Sequence, residues 1–132
     1  MAHESQVRYL DETGERDEGI SAVVEANGFL FLSGFVAFDE NLNVVGPGDM
    51  KKQLEYIYDI IESALALHGA TLEHVVSEHI YTTDLQGLIE LIPVRKARYA
   101  GYAYPATIAV EVRQLFHPEC LVEIKATAVK PA

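Results

Sequence analysis

Short apolar segments separated by polar breaks mark three strands in the first third of the chain. Gln6 to Leu10, Ile20 to Ala26 and Phe29 to Val36 are rich in the β-branched and aromatic residues that favour strands. Asn27-Gly28 joins the last two, and this pair tolerates the positive φ angles of a type I′ turn. The pattern predicts one short strand and then, after an acidic loop, a β-hairpin.

The next segment carries apolar residues at every third or fourth position, which predicts an amphipathic helix of about five turns. Asp49 precedes it and is suited to cap its amino end, while Gly69 follows it and is suited to its carboxyl end. The apolar stripe consists of Met50, Leu54, Ile57, Ile61, Leu65 and His68.

The second half of the chain alternates between strand and helix patterns. Val75 to Thr83 is a β-branched strand, and Asp84 is placed to cap a second helix that runs to about Gly101. Pro93 either kinks this helix or marks a restart within it. The last two predicted strands are Thr107 to Leu115 and Leu121 to Val129.

This order of elements predicts an α+β fold in which two helices pack on one face of a six-stranded mixed sheet. Two strand-to-strand connections pass through helices, so two pairs of strands are expected to be parallel. The strands carry apolar residues on both faces, as in Val23-Val24 and Phe29 to Leu32. One helical layer covers only one face, so self-association through the other is expected.

The composition narrows the possible functions. With 132 residues the chain is expected to form one domain, residues 1–132, and its net charge of −10 argues against tight binding to nucleic acid. Its single cysteine, Cys120, excludes an internal disulfide and fits a reducing compartment. The polar amino-terminal residues do not resemble a signal peptide, and no apolar run approaches the roughly 18 residues of a membrane span. A cytoplasmic protein that does not bind a membrane is expected.

The sequence offers no conventional cofactor or metal site. It has no glycine-rich phosphate loop, and its histidines lack the spacing of metal ligands. We therefore expect no metal and no cofactor. The five histidines are His3, His68, His74, His79 and His117.

Several short motifs, in this order and spacing, resemble the reactive intermediate deaminase superfamily, also called Rid or YjgF. The resemblance covers roughly Gly19 to Lys130 and implies a chorismate-mutase-like fold that assembles as a homotrimer, with ligand clefts between subunits. The motifs are Leu32-Ser33-Gly34, Thr83-Asp84-Leu85, Pro105-Ala106 and Leu121-Val122-Glu123-Ile124.

The resemblance also assigns candidate site residues. In the family's deaminases a glutamate on the last strand positions the attacking water, a serine before glycine lines the cleft, and an arginine after Pro-Ala binds the substrate carboxylate. Glu123 and Ser33 match the first two, so Glu123 is the catalytic candidate. The arginine position is occupied by Thr107, and two further cleft positions, a tyrosine and an asparagine, correspond to Ile20 and Ile92.

The loss of the arginine changes the expected substrate. A guanidinium binds a carboxylate through two charge-assisted hydrogen bonds, whereas Thr107 offers one neutral hydroxyl. Losing such a partner in a desolvated cleft costs about 2–5 kcal/mol. An amino-acid-derived imine is therefore a poor candidate substrate, unless Arg95 or Arg98 on the second helix replaces the missing arginine.

Two interpretations of Glu123 are open on sequence alone. It shares a strand face with Leu121, Lys125 and Thr127. Beside a subunit cleft its carboxylate is desolvated, which raises its pKa towards the range of a general acid or base. On an open surface it pairs with Lys125.

Two functions follow. The first is a Rid-like enzyme that hydrolyses or deaminates a small reactive metabolite at the subunit clefts. The alternative is a homotrimer that binds a small ligand without turnover, its chemistry lost together with the arginine. Family members have also been described as ribonucleases, but the net charge of −10 argues against that activity here.

Overall fold

The computed structural model describes residues 19–132 and, in addition, the backbone of residues 6–8. Leu10 and the acidic loop of residues 11–18 lie outside the described residues. The strands are β1 (Gln6–Arg8), β2 (Val23–Ala26), β3 (Phe29–Phe35), β4 (Val75–Thr82), β5 (Ala106–Glu111) and β6 (Val122–Val129). The helices are α1 (Met50–Ala66), α2 (Leu85–Glu90) and α3 (Ile92–Arg98), with a 3₁₀ turn at Leu72–His74.

The strands form one mixed sheet in the order β1-β2-β3-β6-β4-β5. Only β4 and β5 are parallel neighbours, and the chain passes from one to the other through α2 and α3. Strands β3 and β4 are both antiparallel to β6, which lies between them. The two expected parallel pairs are therefore present in direction, but the last strand separates the members of one pair.

Two counts differ from the sequence prediction. Residues 19–132 contribute five strands rather than six, and the sheet reaches six only with the three paired residues of β1. The second predicted helix is two helices, because Leu91 leaves the helical conformation at φ −96° and ψ 6° and Pro93 lies in the first turn of a new helix. Proline at that position lacks only an N–H that would have no partner within the helix.

The hairpin turn and the two helix caps predicted from the sequence are present. Asn27 and Gly28 adopt φ angles of 52° and 79°, which gives the hairpin turn between β2 and β3. Asp49 caps α1 by accepting a hydrogen bond from the Lys52 amide at 3.0 Å. Asp84 caps α2 by accepting one from the Gly87 amide at 3.1 Å.

The two faces of the sheet differ. One face packs against the helices, and alternate residues of β6 on that side, from Val122 to Ala128, are buried. On the open face Phe29, Phe31, Ile108 and Val129 are each 40–54% exposed. No helix within the described residues is long and apolar enough to cross a membrane.

Candidate functional site

A β-bulge places Ser33 at the edge of the candidate site. Phe31 pairs with Thr127 and Gly34 pairs with Lys125, so three steps along β3 match two along β6. The half-buried Ser33 donates its hydroxyl proton to the Ser21 carbonyl at 2.6 Å, and its amide bonds the Ala22 carbonyl at 2.9 Å. The bulge is thereby fixed to the segment that precedes β2.

Glu123 lies directly over Gly34. A Cβ built at Gly34 would overlap Oε2 of Glu123 and approach its Cδ to 3.2 Å. A side chain at Gly34 would therefore force the carboxylate to shift, although the backbone there is not left-handed. The serine-glycine pair and the glutamate, which are far apart in the sequence, form one local group.

The carboxylate of Glu123 is partly desolvated. It is half-buried on the open face, in register with Tyr81 of β4, and burial raises its pKa above the usual value of 4.5. Lys125 does not pair with it, since its ammonium donates to the Leu32 carbonyl at 2.9 Å. Within residues 19–132 no ion pair engages Glu123. The pairing with Lys125 that the second interpretation expected is thus not present among the described residues, while a subunit cleft beside Glu123 stays a prediction.

Thr107 lies in a different environment. It pairs with Glu78 across β4 and β5, and Glu78 is fully buried on the helix face. Arg95 of α3 donates from Nη2 to the Thr107 hydroxyl oxygen at 2.9 Å and to Oε1 of Glu78 at 2.8 Å. The Thr107 hydroxyl proton is donated to the Pro105 carbonyl at 2.9 Å.

Two tyrosines complete this buried cluster. Tyr58 of α1 donates to Glu78 at 3.0 Å and accepts from Nε of Arg95 at 3.1 Å, and the Tyr99 hydroxyl also donates to Glu78. The Arg95 guanidinium lies 5.2 Å from the centre of the Tyr99 ring. Burial, and then the charge of Glu78, raises the pKa of both phenols, which keeps them protonated as donors.

The remaining candidates are Arg98, Ile92 and Ile20. Arg98 pairs with Asp59, at 2.6 Å, and with Glu62. Ile92 begins α3 and is 48% exposed, while Ile20 precedes Ser21 and is 47% exposed.

The sheet thus divides the expected site residues between its two faces. The Glu123 carboxylate lies against Gly34, the residue that follows Ser33. Thr107 shares the helix face with Glu78 and Arg95, because β4 and β5 pair in that register, whereas Glu123 is in register with Tyr81 on the open face. Within one protomer, Thr107 and Glu123 do not face the same space.

Sequence reasoning missed the Glu78 cluster. A signal was present, since Glu78 alternates with Ile80 and Thr82 on the buried side of β4. A charged residue at a core position of a strand needs a partner.

Within residues 19–132 the other side chains add no second chemical centre. Burial raises the pKa of the Cys120 thiol, so this cysteine is not an activated thiolate. In the part of the chain that the structure describes, no group of three or more His, Cys, Asp or Glu side chains is placed to hold a metal ion. An open groove of about 350 Å³ runs along α1, away from Glu123, and is lined by Val45, Asp49, Lys51, Lys52, Glu55, Tyr56 and Asp59.

The chain is similar to known proteins over most of its length. The model of the family described as Endoribonuclease L-PSP matches residues 17–130. The chain is 32% identical over 110 residues to a RutC family protein from Pyrococcus horikoshii, an overlap that covers 83% of this chain and 86% of the relative.

Solved structures of YjgF family proteins have a similar fold. A YjgF family member from Neisseria meningitidis is 35% identical with a TM-score of 0.79, over 98% of this chain and 99% of the other. A member of the YjgF/YER057c/UK114 family from Mycobacterium tuberculosis is 29% identical with a TM-score of 0.82, over 96% and 99% of the two chains.

Proposed function

Since the chain belongs to the Endoribonuclease L-PSP family, which includes the Rid and YjgF proteins, we propose that it is a Rid-like enzyme that hydrolyses a small reactive metabolite. The substrate carries a carbon–nitrogen double bond and no carboxylate. Hydrolysis takes place in clefts between the subunits of a cytoplasmic homotrimer, and Glu123 is the general acid and base.

The observation that carries this proposal is the environment of Glu123. A carboxylate that is half-buried, has no cationic partner among the described residues and has a raised pKa is suited to exchange protons with a substrate or a water. Ser33 and Gly34 lie beside it, and the missing side chain of Gly34 leaves room for the carboxylate.

The chemistry needs only water as co-reactant. As the water oxygen bonds to the imine carbon, Glu123 accepts the water proton, and the electron pair of the C=N bond moves to nitrogen. The same proton is then delivered to that nitrogen. The hydroxyl proton of the carbinolamine then moves to the amino nitrogen, and the C–N bond breaks as the C=O bond forms, so that one water is consumed and one ammonia is released for each imine.

A homotrimer is supported by the two faces of the sheet. The open face exposes Phe29, Phe31, Ile108 and Val129, which association would bury. Thr107 lies on the opposite face from Glu123 in one protomer, so a cleft that contains both requires a second subunit. Light scattering should give three times the chain mass of 14.6 kDa, and a monomer would contradict this part of the proposal.

The substrate class follows from the helix face. Thr107 occupies the position at which the deaminases carry arginine, and Arg95 and Arg98 are already paired with carboxylates. Ribonuclease activity, which the family description names, is not proposed, because a chain of net charge −10 lacks the cationic surface that RNA binding requires.

The test compares two imines generated in place. An amine oxidase supplies imines without a carboxylate, an amino-acid oxidase supplies imines with one, and ammonia release is followed for both. We expect faster hydrolysis of the first class, with a loss of about 10²-fold or more in Glu123→Gln. Glu119→Gln makes the same chemical change at an exposed glutamate four residues earlier and should leave the rate unchanged.

A trimer that binds its ligand without turnover is the second candidate, and Thr107 in place of arginine is the observation that favours it. Binding of an amine-derived imine without acceleration of its hydrolysis would establish this candidate. Equal or faster hydrolysis of the amino-acid-derived imines would contradict the proposed substrate class. An unchanged rate in Glu123→Gln would remove the proposed acid and base.

A further inference from the structure

The proposed reaction makes no use of the most deeply buried charge in the described residues. Glu78 has no exposed surface, and it meets the Arg95 guanidinium beside Thr107, its partner in the sheet register. We infer that Glu78 is a specificity-determining residue, which neutralises Arg95 and so excludes carboxylate-bearing ligands from the Thr107 end of the site. This inference rests on the proposed function, which brings the ligand to Thr107.

The first reason is that the hydroxyl group of Thr107 is already hydrogen-bonded within the protein. Its one hydroxyl proton is donated to Pro105, and its oxygen accepts from Arg95. The side chain therefore has no proton left to donate to an oxyanion.

The second reason is that the guanidinium of Arg95 is already paired with Glu78. Both Nε and Nη2 donate to the same oxygen of Glu78, at 3.0 and 2.8 Å. The two phenols of Tyr58 and Tyr99 also donate to Glu78 and replace the water that the buried carboxylate has lost. A ligand that reaches Thr107 thus meets a neutral ion pair and not a free guanidinium.

The third reason is that the charges around Arg95 disfavour an anionic ligand. Arg98, three residues after Arg95, is paired with Asp59 and Glu62. The two arginines face three carboxylates, so the cluster has one negative charge in excess. This local excess has the same sign as the net charge of −10, and both repel an anionic ligand.

The test is a binding titration by amide and guanidinium NMR. Acetate is the charged probe, and acetamide, which has nearly the same shape without the charge, is its control. We expect no saturable shifts at Thr107 or Arg95 when acetate is added to the wild-type protein. Glu78→Gln leaves Arg95 uncompensated and should bind acetate at least about tenfold more tightly than the wild type. Acetamide binding should be the same in both proteins.

Two further variants keep the test decisive. Tyr99→Phe removes a hydrogen bond to the same carboxylate without changing its charge, so acetate binding should stay at the wild-type level. Thr107→Arg adds a third arginine on an exposed strand, which cancels the one negative charge in excess, and should gain acetate binding even if Glu78→Gln does not fold, which thermal unfolding will show.

Saturable acetate binding at Arg95 in the wild type would overturn the inference, as would a folded Glu78→Gln protein that gains none. Failure of Thr107→Arg to bind acetate would show that something other than charge excludes carboxylates. These titrations measure binding and not turnover. Their failure therefore leaves the Glu123 test intact, and a failure of that test does not explain them.

Discussion

Glu78, between Ser77 and His79, and Glu123, between Val122 and Ile124, lie on neighbouring strands, yet the sheet places them in opposite situations. Glu78 points into the helix face, where an arginine and two tyrosines surround it. Glu123 points into the open face, half-buried and without an ion pair in the described part of the chain. Which side of the sheet a glutamate occupies, more than its neighbours in sequence, decides whether it holds the structure together or is free to exchange protons.

The largest difference in stability is expected when the partner of the buried carboxylate is removed. Arg95→Met leaves Glu78 charged without compensation, and we expect the free energy of unfolding to fall by about 3–5 kcal/mol. Arg98→Met removes the neighbouring arginine, whose partners Asp59 and Glu62 are 66% and 46% exposed, and should cost only about 0–1 kcal/mol. Urea denaturation of both variants measures the difference.

The double variant Glu78→Met/Arg95→Met sharpens this result. It replaces the pair with apolar side chains, so it should be less destabilised than Arg95→Met alone. Equal losses in Arg95→Met and Arg98→Met would mean that the Glu78 pair contributes no more than a surface pair.

Much of the fold follows from local patterns. The turn at Asn27-Gly28, the caps at Asp49 and Asp84 and the stripe of α1 were predicted from sequence and are confirmed, because each depends on residues within a few positions of one another. The α+β class follows from the order of elements.

The parts that could not be predicted depend on long-range pairing. No local pattern shows that β6 inserts between β3 and β4, or that a bulge aligns Gly34 with Lys125. The same pairing separates Thr107 from Glu123. The site expected from the resemblance was drawn from matched positions, and matched positions do not show which face of the sheet each side chain occupies.

A smaller effect is expected where Glu123 meets Gly34. The backbone of Gly34 is not left-handed, so alanine there would ordinarily stabilise the protein slightly. The added methyl group overlaps the carboxylate instead, and we expect Gly34→Ala to cost about 1–2 kcal/mol of unfolding free energy. In a Glu123→Ala background the same change should be neutral or stabilising by about 0.5 kcal/mol.

A double-mutant cycle of these variants, measured by urea denaturation, gives the coupling free energy directly. Additive effects would mean that the side chain of Glu123 does not lie against Gly34. The proposed reaction would then lose the local group on which it depends.

The smallest expected effect is on the pH dependence of stability, where two half-buried glutamates should respond with opposite signs. Burial raises the pKa of Glu123, so the folded protein holds this proton more tightly than the unfolded chain. Stability is therefore lost as the pH rises from the unfolded value, near 4.5, through the raised folded value. Glu123→Gln does not carry this cost and should be more stable than the wild type at pH 7, with the difference vanishing below about pH 4.

Glu25 is the matched control, because a hydrogen bond from Lys130, and then one from His68, holds its pKa below 4.5. Its contribution is present above the unfolded pKa and is lost as the pH falls through the lowered folded value. Glu25→Gln should therefore be less stable than the wild type at pH 7 and approach it in acid. Melting temperatures of the three proteins between pH 3 and 8 measure both differences. If Glu123→Gln were destabilised at pH 7 as Glu25→Gln is, Glu123 would have a stabilising partner, and its role as a free acid and base would have to be abandoned.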